Sequence, residues 1–137
     1  MSHFSTVKSI IKRKSALVKA LQSIDNGRWK NCVEVSEEAT NLYGYQGDKR
    51  AQKAEIIIRR KNVGGSSNDI GFKLQEDGTY SAIISDYDSS HYNKTWLDSL
   101  CQNYAKCTVK EVAEENGFSF EDHTENGEIF VTCERSY

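Results

Sequence analysis

Three observations place this chain of 137 residues in the α+β class. The expected architecture is one domain over residues 1–137 with a single antiparallel β-sheet. Two α-helices, a short N-terminal one and a long one in the C-terminal half, are expected on one face of that sheet. First, apolar residues come in short alternating or continuous blocks bounded by Gly, Asn and Asp, the pattern of strands joined by tight turns. Second, two segments, one near the start and one in the second half, repeat their apolar residues at helical spacing. Third, proline is absent, so the turns must rest on Gly, Asn, Asp and Ser.

The first segment has two readings. Val7, Ile10, Ile11, Leu17, Val18, Leu21 and Ile24 keep helical spacing, with Lys14 breaking the stripe. Alternatively Phe4–Ile10 is a strand, Lys12-Arg13-Lys14 is the connecting turn, and Ser15 caps a helix that ends near Ile24. Gly27 follows as a stop signal. Trp29–Val35 reads as a strand, Glu37 and Glu38 open a polar stretch, and Ala54–Arg60, with Ile56-Ile57-Ile58, is the clearest buried strand.

Residues 62–68 read as a flexible loop and lack the Gly-Lys-Ser/Thr ending of a phosphate loop. Ile70–Leu74 and Tyr80–Asp86 flank the hairpin signal Glu76-Asp77-Gly78. Asn93 caps a long helix whose inner stripe is Trp96, Leu97, Leu100, Cys101, Tyr104, Ala105, Val109 and Val112, and Gly117 ends it. Phe118–Glu121 and Ile129–Glu134, joined across Glu125-Asn126-Gly127, form the last hairpin.

The net charge of −2 conceals a gradient. Residues 1–30 carry seven Lys/Arg against Asp25, and residues 111–137 carry eight acids against Arg135. Such polarity serves either one basic face or head-to-tail association of subunits. The cysteines are Cys32, Cys101, Cys107 and Cys133, and no C-x-x-C or Cys/His pair has zinc-ligand spacing. The start has no basic-then-apolar leader, and no apolar run approaches ~20 residues. A soluble, cytoplasmic protein with reduced, packed thiols, no metal, no cofactor and no membrane partner is therefore expected.

Catalysis finds little support. His3, His91 and His123 are the only histidines, and none has a Ser, Cys or acid at a recognised motif spacing. Asp86 and Asp88 read as turn chemistry before they read as a Mg²⁺ pair. A non-enzyme is expected. The better set is a binding set. Tyr45, Gln46, Lys49 and Arg50 stand in a Gly-bounded turn, where an aromatic face can stack a base at ~1–3 kcal/mol and a cation can meet phosphate. On a strand, His3 and Ser5 share one face with Val7, and Lys8 follows them. Tyr104 and Thr108, one helical turn apart, are expected to face the same cleft.

Ser2-His3-Phe4-Ser5-Thr6-Val7-Lys8, Gly44-Tyr45-Gln46-Gly47, Asp69-Ile70-Gly71-Phe72, and Tyr104-Ala105 with Thr108-Val109-Lys110 resemble signatures of the plastid and cyanobacterial reading-frame family called ycf thirty-five, which has relatives in bacteriophages. The likeness spans nearly the whole chain. It implies that the first segment is a strand, and it supplies architecture more than chemistry. Cys107 stands where relatives often have His. In size and type the chain is also similar to phage-encoded sponge proteins that trap the cyclic nucleotide signals of antiviral defence. That likeness implies a small anionic ligand such as a cyclic nucleotide, a homo-oligomer, and the bacterial host's cytoplasm as the compartment. The alternative is a DNA- or RNA-binding or protein-interaction accessory protein working through the basic N-terminal region. The sequence pI of about 5.9 argues against the nucleic-acid version.

Overall fold

The computed structural model describes the backbone of residues 3–125 and 128–135, and the side-chain surroundings of residues 3–117. The Asn126-Gly127 turn and the side chains of His123 and Cys133 lie outside what is described. The elements are β1 (Phe4–Val7), α1 (Lys14–Gly27), β2 (Val33–Tyr43), β3 (Lys49–Ile58), α2 (Arg60–Val63), β4 (Ile70–Leu74), β5 (Tyr80–Ser85), α3 (Lys94–Glu115), β6 (Phe118–Glu125) and β7 (Glu128–Arg135). A 3₁₀ turn spans Asp88–Ser90. The fold is α+β.

β1 to β5 form one antiparallel sheet in the order β1-β5-β4-β3-β2. β6 and β7 pair only with each other among the described residues, in a separate two-stranded sheet. This corrects the expectation of one sheet. A helix of 22 residues is roughly 33 Å long against ~17–20 Å for an ordinary strand, and α3 carries the chain away before the last hairpin forms.

Strand parity splits the isoleucine run between two cores. Ile56 pairs with Phe72 and Phe72 with Ala82, so these side chains share a face, and Ile58 and Ile70 follow them. They join Leu17 and Leu21 of α1 and Leu100 of α3 in the main cluster, which also holds Trp29, Tyr92 and Trp96. Ile57 faces the other way and packs with Leu42, Ala54 and Ile83, with Phe4 against them. Gly71 is what lets this second cluster close. A Cβ there would stand 2.8 Å from Ala54 Cβ and 2.9 Å from Leu42 Cδ2.

Several local expectations hold. β1 is a strand, with Ser5 opposite Ile84 and Val7 opposite Ala82, so those side chains lie on the main-core face. Asn93 caps α3, its side chain accepting from Trp96 N–H at 3.1 Å. Gly78 turns the β4–β5 hairpin at φ +86°, and Gly117 follows α3 at φ +78°. Cys32, Cys101 and Cys107 are free thiols, each partly buried.

Others are corrected. Ser15 does not cap α1, which begins at Lys14 after Arg13; its hydroxyl donates to Glu111 Oε1 at 2.9 Å instead. The end of α1 is as expected: the backbone leaves the helix at Ile24, and Asp25, Asn26 and Gly27 all take positive φ, a conformation that Asn, Asp and Gly tolerate best. Trp29 is not in a strand. It is a fully buried core residue whose indole N–H donates to Asn62 O at 2.8 Å. The polar stretch after Val35 is the continuation of β2 along the sheet edge, so β2 runs beyond the expected Trp29–Val35, with a register shift between Val35 and Thr40. Within residues 62–68, α2 takes in Asn62 and Val63, and 64–68 form the expected loop, in which Ser67 and Asn68 are buried. Finally, Ala105, Val109 and Val112 are exposed, so the inner stripe of α3 runs instead through Leu100 to Glu111.

Candidate functional site

The Tyr45–Arg50 turn spends most of its polar groups internally. Gly44 N–H donates to Asp48 O at 2.8 Å, Gly47 N–H to Gly44 O at 2.9 Å, and Tyr45 N–H to Asn68 Oδ1 at 2.9 Å. Those amides are not available as an anion cradle. Gly47 has φ +79°, and a Cβ on Gly44 would meet the Asp48 carboxylate at 2.5 Å, so both glycines serve the turn itself. The Arg50 guanidinium lies over the Phe4 ring at 5.1 Å and 3.8 Å from Asp48. The Arg50 cation that sequence reasoning offered to a ligand thus packs on β1, and the amides serve the turn and its tie to Asn68. Tyr45, Gln46 and Lys49 remain exposed on it.

Behind the turn lies a buried polar hub. Asp69 is fully buried; its Oδ2 accepts from Tyr43 N–H at 2.7 Å and Arg59 Nη1 at 2.8 Å, and its Oδ1 from Arg60 N–H at 2.7 Å. Asn68 reaches the opposite way, its Nδ2 donating to Ser85 Oγ at 2.9 Å and to Asp88 Oδ2 at 3.3 Å. Asp88 is therefore held by turn chemistry, and no group of metal-ligating side chains occurs among the described residues. Periodicity gave no sign of this hub. The one available signal was a Ser-Asn-Asp run leading directly into an apolar strand.

The β1–α3 cleft is different in kind. It encloses about 620 Å³, well inside the ~300–1,000 Å³ of small-molecule sites. Its floor is apolar, formed by Phe72, Ile84 and Leu100. Val7 and Ile10 extend the apolar wall, and Ile10 is 79 % exposed. Polar groups stand around it: Ser5, Lys8 and Ser9 from the β1 side, and Asn93 and Lys94 from the start of α3. Lys94 Nζ sits 2.9 Å from Asp98 Oδ2 at the same cleft. The Cys101 thiol also lines it, its pKa raised by burial and by the nearby Asp98 charge.

Of the nine residues singled out from the sequence, Ser5 and Lys8 line this cleft. His3 is exposed, and its carbonyl accepts from Asp86 N–H at 2.7 Å. Tyr104 and Thr108 belong to the α1–α3 region. The Tyr104 hydroxyl accepts from the backbone N–H groups of Lys12 and Arg13 at 3.1 and 2.9 Å. Thr108 Oγ1 is buried without a hydrogen-bond partner among the described residues.

Below them two acids of the acidic end, Glu111 and Glu115, pair with basic residues of the N-terminal segment of the same chain. Arg13 Nε and Lys19 Nζ each lie 2.8 Å from the Glu111 carboxylate, and Arg13 also pairs with Glu115. Burial alone would raise the Glu111 pKa, but hydrogen bonds from Lys19, Ser15 and Arg13 outweigh it and hold the carboxyl below its ordinary value.

A sequence model of proteins of unknown function, DUF1257, matches residues 32–132. The chain belongs to the DUF1257 family. In this DUF1257 chain the matched span takes in β2 to β5 and α3 and begins after β1 and α1. The polar hub and the α3 wall of the cleft lie inside it, and Ser5 and Lys8 lie before it. No curated protein and no solved structure matches the chain. No helix among the described residues is long and apolar enough to cross a membrane.

Proposed function

We propose that the protein is a non-catalytic binding protein for a small, flat anion of the nucleotide class, and that the β1–α3 cleft is its site. The observation that supports this reading is the pairing of an apolar floor with two lysines at one cleft of about 620 Å³. A base would lie against Phe72, Ile84 and Leu100, and its phosphate would meet Lys8 and draw Lys94 away from Asp98. Such a protein acts by mass action, because occupied sites deplete a messenger without chemistry. In a viral setting, stoichiometric capture of a cyclic oligonucleotide would blunt the host's antiviral defence.

The test is to heat-denature the purified protein, identify any released compound by mass spectrometry, and screen cyclic di- and trinucleotides by thermal shift. Ligand at a hundred times its Kd should stabilise the fold by about 2.7 kcal/mol. Lys8→Glu with Ile10→Glu, both at exposed positions, should abolish the shift and leave the fold intact. No released compound together with no shift from any candidate overturns the reading. Salt separates the polymer alternative, since nucleic-acid binding falls steeply with salt and capture of a compact ligand only slightly.

A further inference from the structure

A second cleft, of about 470 Å³, is lined by Arg28, Ser67, Tyr87, Asp88 and His91, with Tyr92 at its base. Its centre is chemically unusual. Asp88 is only 3 % exposed, and all three hydrogen bonds to its carboxylate end on one oxygen. Asn68 N–H, Asn68 Nδ2 and Ser85 Oγ donate to Oδ2 at 2.9, 3.3 and 2.7 Å. Oδ1 has no partner, and no cation pairs with Asp88, among the described residues. Oδ1 is thus the carboxylate atom left open to the cleft, where an incoming donor can reach it.

The rest of the cleft narrows what satisfies that oxygen. The Arg28 guanidinium is fixed by donating to Tyr92 Oη at 3.0 Å and Val63 O at 2.8 Å, which leaves further N–H donors over. A free cation is repelled by Arg28 and a free anion by Asp88. The fitting ligand is neutral and offers N–H donors and an acceptor along one edge. Tyr87, 58 % exposed, and the exposed His91 ring, set edge-to-face on Tyr92 at 4.7 Å, supply faces for a planar body.

We propose that this cleft binds a purine base of the guanine type, with the ring N–H and exocyclic amino group donating to Asp88 Oδ1 and the ring carbonyl accepting from Arg28. The site stands on its own observations and does not depend on the β1–α3 cleft.

The test uses the intact chain and guanosine, which carries no phosphate for Lys8 or Lys94. Calorimetry should show saturable binding at least tenfold tighter than for adenosine, with inosine, which lacks the amino group, in between. Amide shift changes should centre on Arg28 and residues 87–92. Asp88→Asn presents an amide in place of the carboxylate and should weaken guanosine at least tenfold. Because Asp88 also anchors Asn68, Tyr87→Ala, which leaves that network untouched, serves as the second variant and should weaken guanosine several-fold. Amide shift changes that centre instead on β1 and the start of α3 would place guanosine in the other cleft and overturn this assignment, so that failure here and failure there read separately. Guanosine binding no tighter than adenosine, or equal binding by both Asp88→Asn and Tyr87→Ala, overturns the proposal. A guanine-containing single strand that binds far tighter than guanosine, and loses that advantage with salt, overturns the free-base assignment.

Discussion

The Asn68 side-chain carbonyl accepts the Tyr45 backbone N–H at 2.9 Å, although the two residues stand 23 apart in sequence. One fully buried amide therefore ties the exposed Gly-Tyr-Gln-Gly turn to the start of β4, and its other end reaches Ser85 and Asp88. Asn68→Ala leaves buried partners unsatisfied at about 1–3 kcal/mol. Urea unfolding should show that loss, and hydrogen exchange should show the Tyr45 amide losing protection. Unchanged Tyr45 exchange would mean that the turn holds itself.

Gly71→Ala tests the closure of the second core. The added methyl must displace Ala54 or Leu42, at about 1–3 kcal/mol for overpacking. Leu42→Ala opens room for that methyl, so the double variant should cost clearly less than the two single costs combined. Strict additivity in chemical denaturation would refute the contact.

Glu111 should leave a pH signature. Its folded pKa lies below the ordinary value, so its contribution is present above the unfolded value of about 4.3 and is lost as pH falls through the folded one. Wild type should exceed Glu111→Gln by about 1 kcal/mol at neutral pH, a modest figure because Arg13 and Lys19 are partly exposed. The gap should shrink below pH ~4. Urea midpoints from neutral to acid pH measure it, and a gap that persists into strong acid refutes the clamp.

Tyr104→Phe and Thr108→Val separate two hydroxyls on one helix. The first removes the acceptor for Lys12 and Arg13 N–H and should lower stability by about 1 kcal/mol without changing ligand affinity. The second removes a hydroxyl that is buried without a partner among the described residues and should be neutral or stabilising. A Thr108→Val variant that loses ligand binding while melting normally would restore Thr108 to the site.

What the sequence reveals follows from which forces are local. The isoleucine block of β3, the Asp77-Gly78 turn and the Asn93 cap are set by near neighbours, and each appears where pattern and turn chemistry place it. The outer half of β2 is an edge strand with few buried side chains, so its polar run does not read as strand. The lower stripe of α3 fails because the contact there is the ionic clamp on Glu111 and not an apolar seam. The site is harder still. Ser5 and Lys8 are recognisable by residue type, but the opposite wall, Asn93 to Cys101, is 85 to 96 positions away in the chain. Asn68, Asp69 and Asp88 are ordinary turn residues until tertiary packing buries them.

The pairing of Arg13 with Glu111, and of β1 with β5, also bears on the order of events in folding. Neither contact can form on a growing chain until nearly the whole sheet has been synthesised. The strand that precedes the rest of the sheet in the chain is thus fixed last. Closing such long loops is slow relative to local hairpins, so a refolding chain should secure β4–β5 early and close the N-terminal strand in its slowest phase.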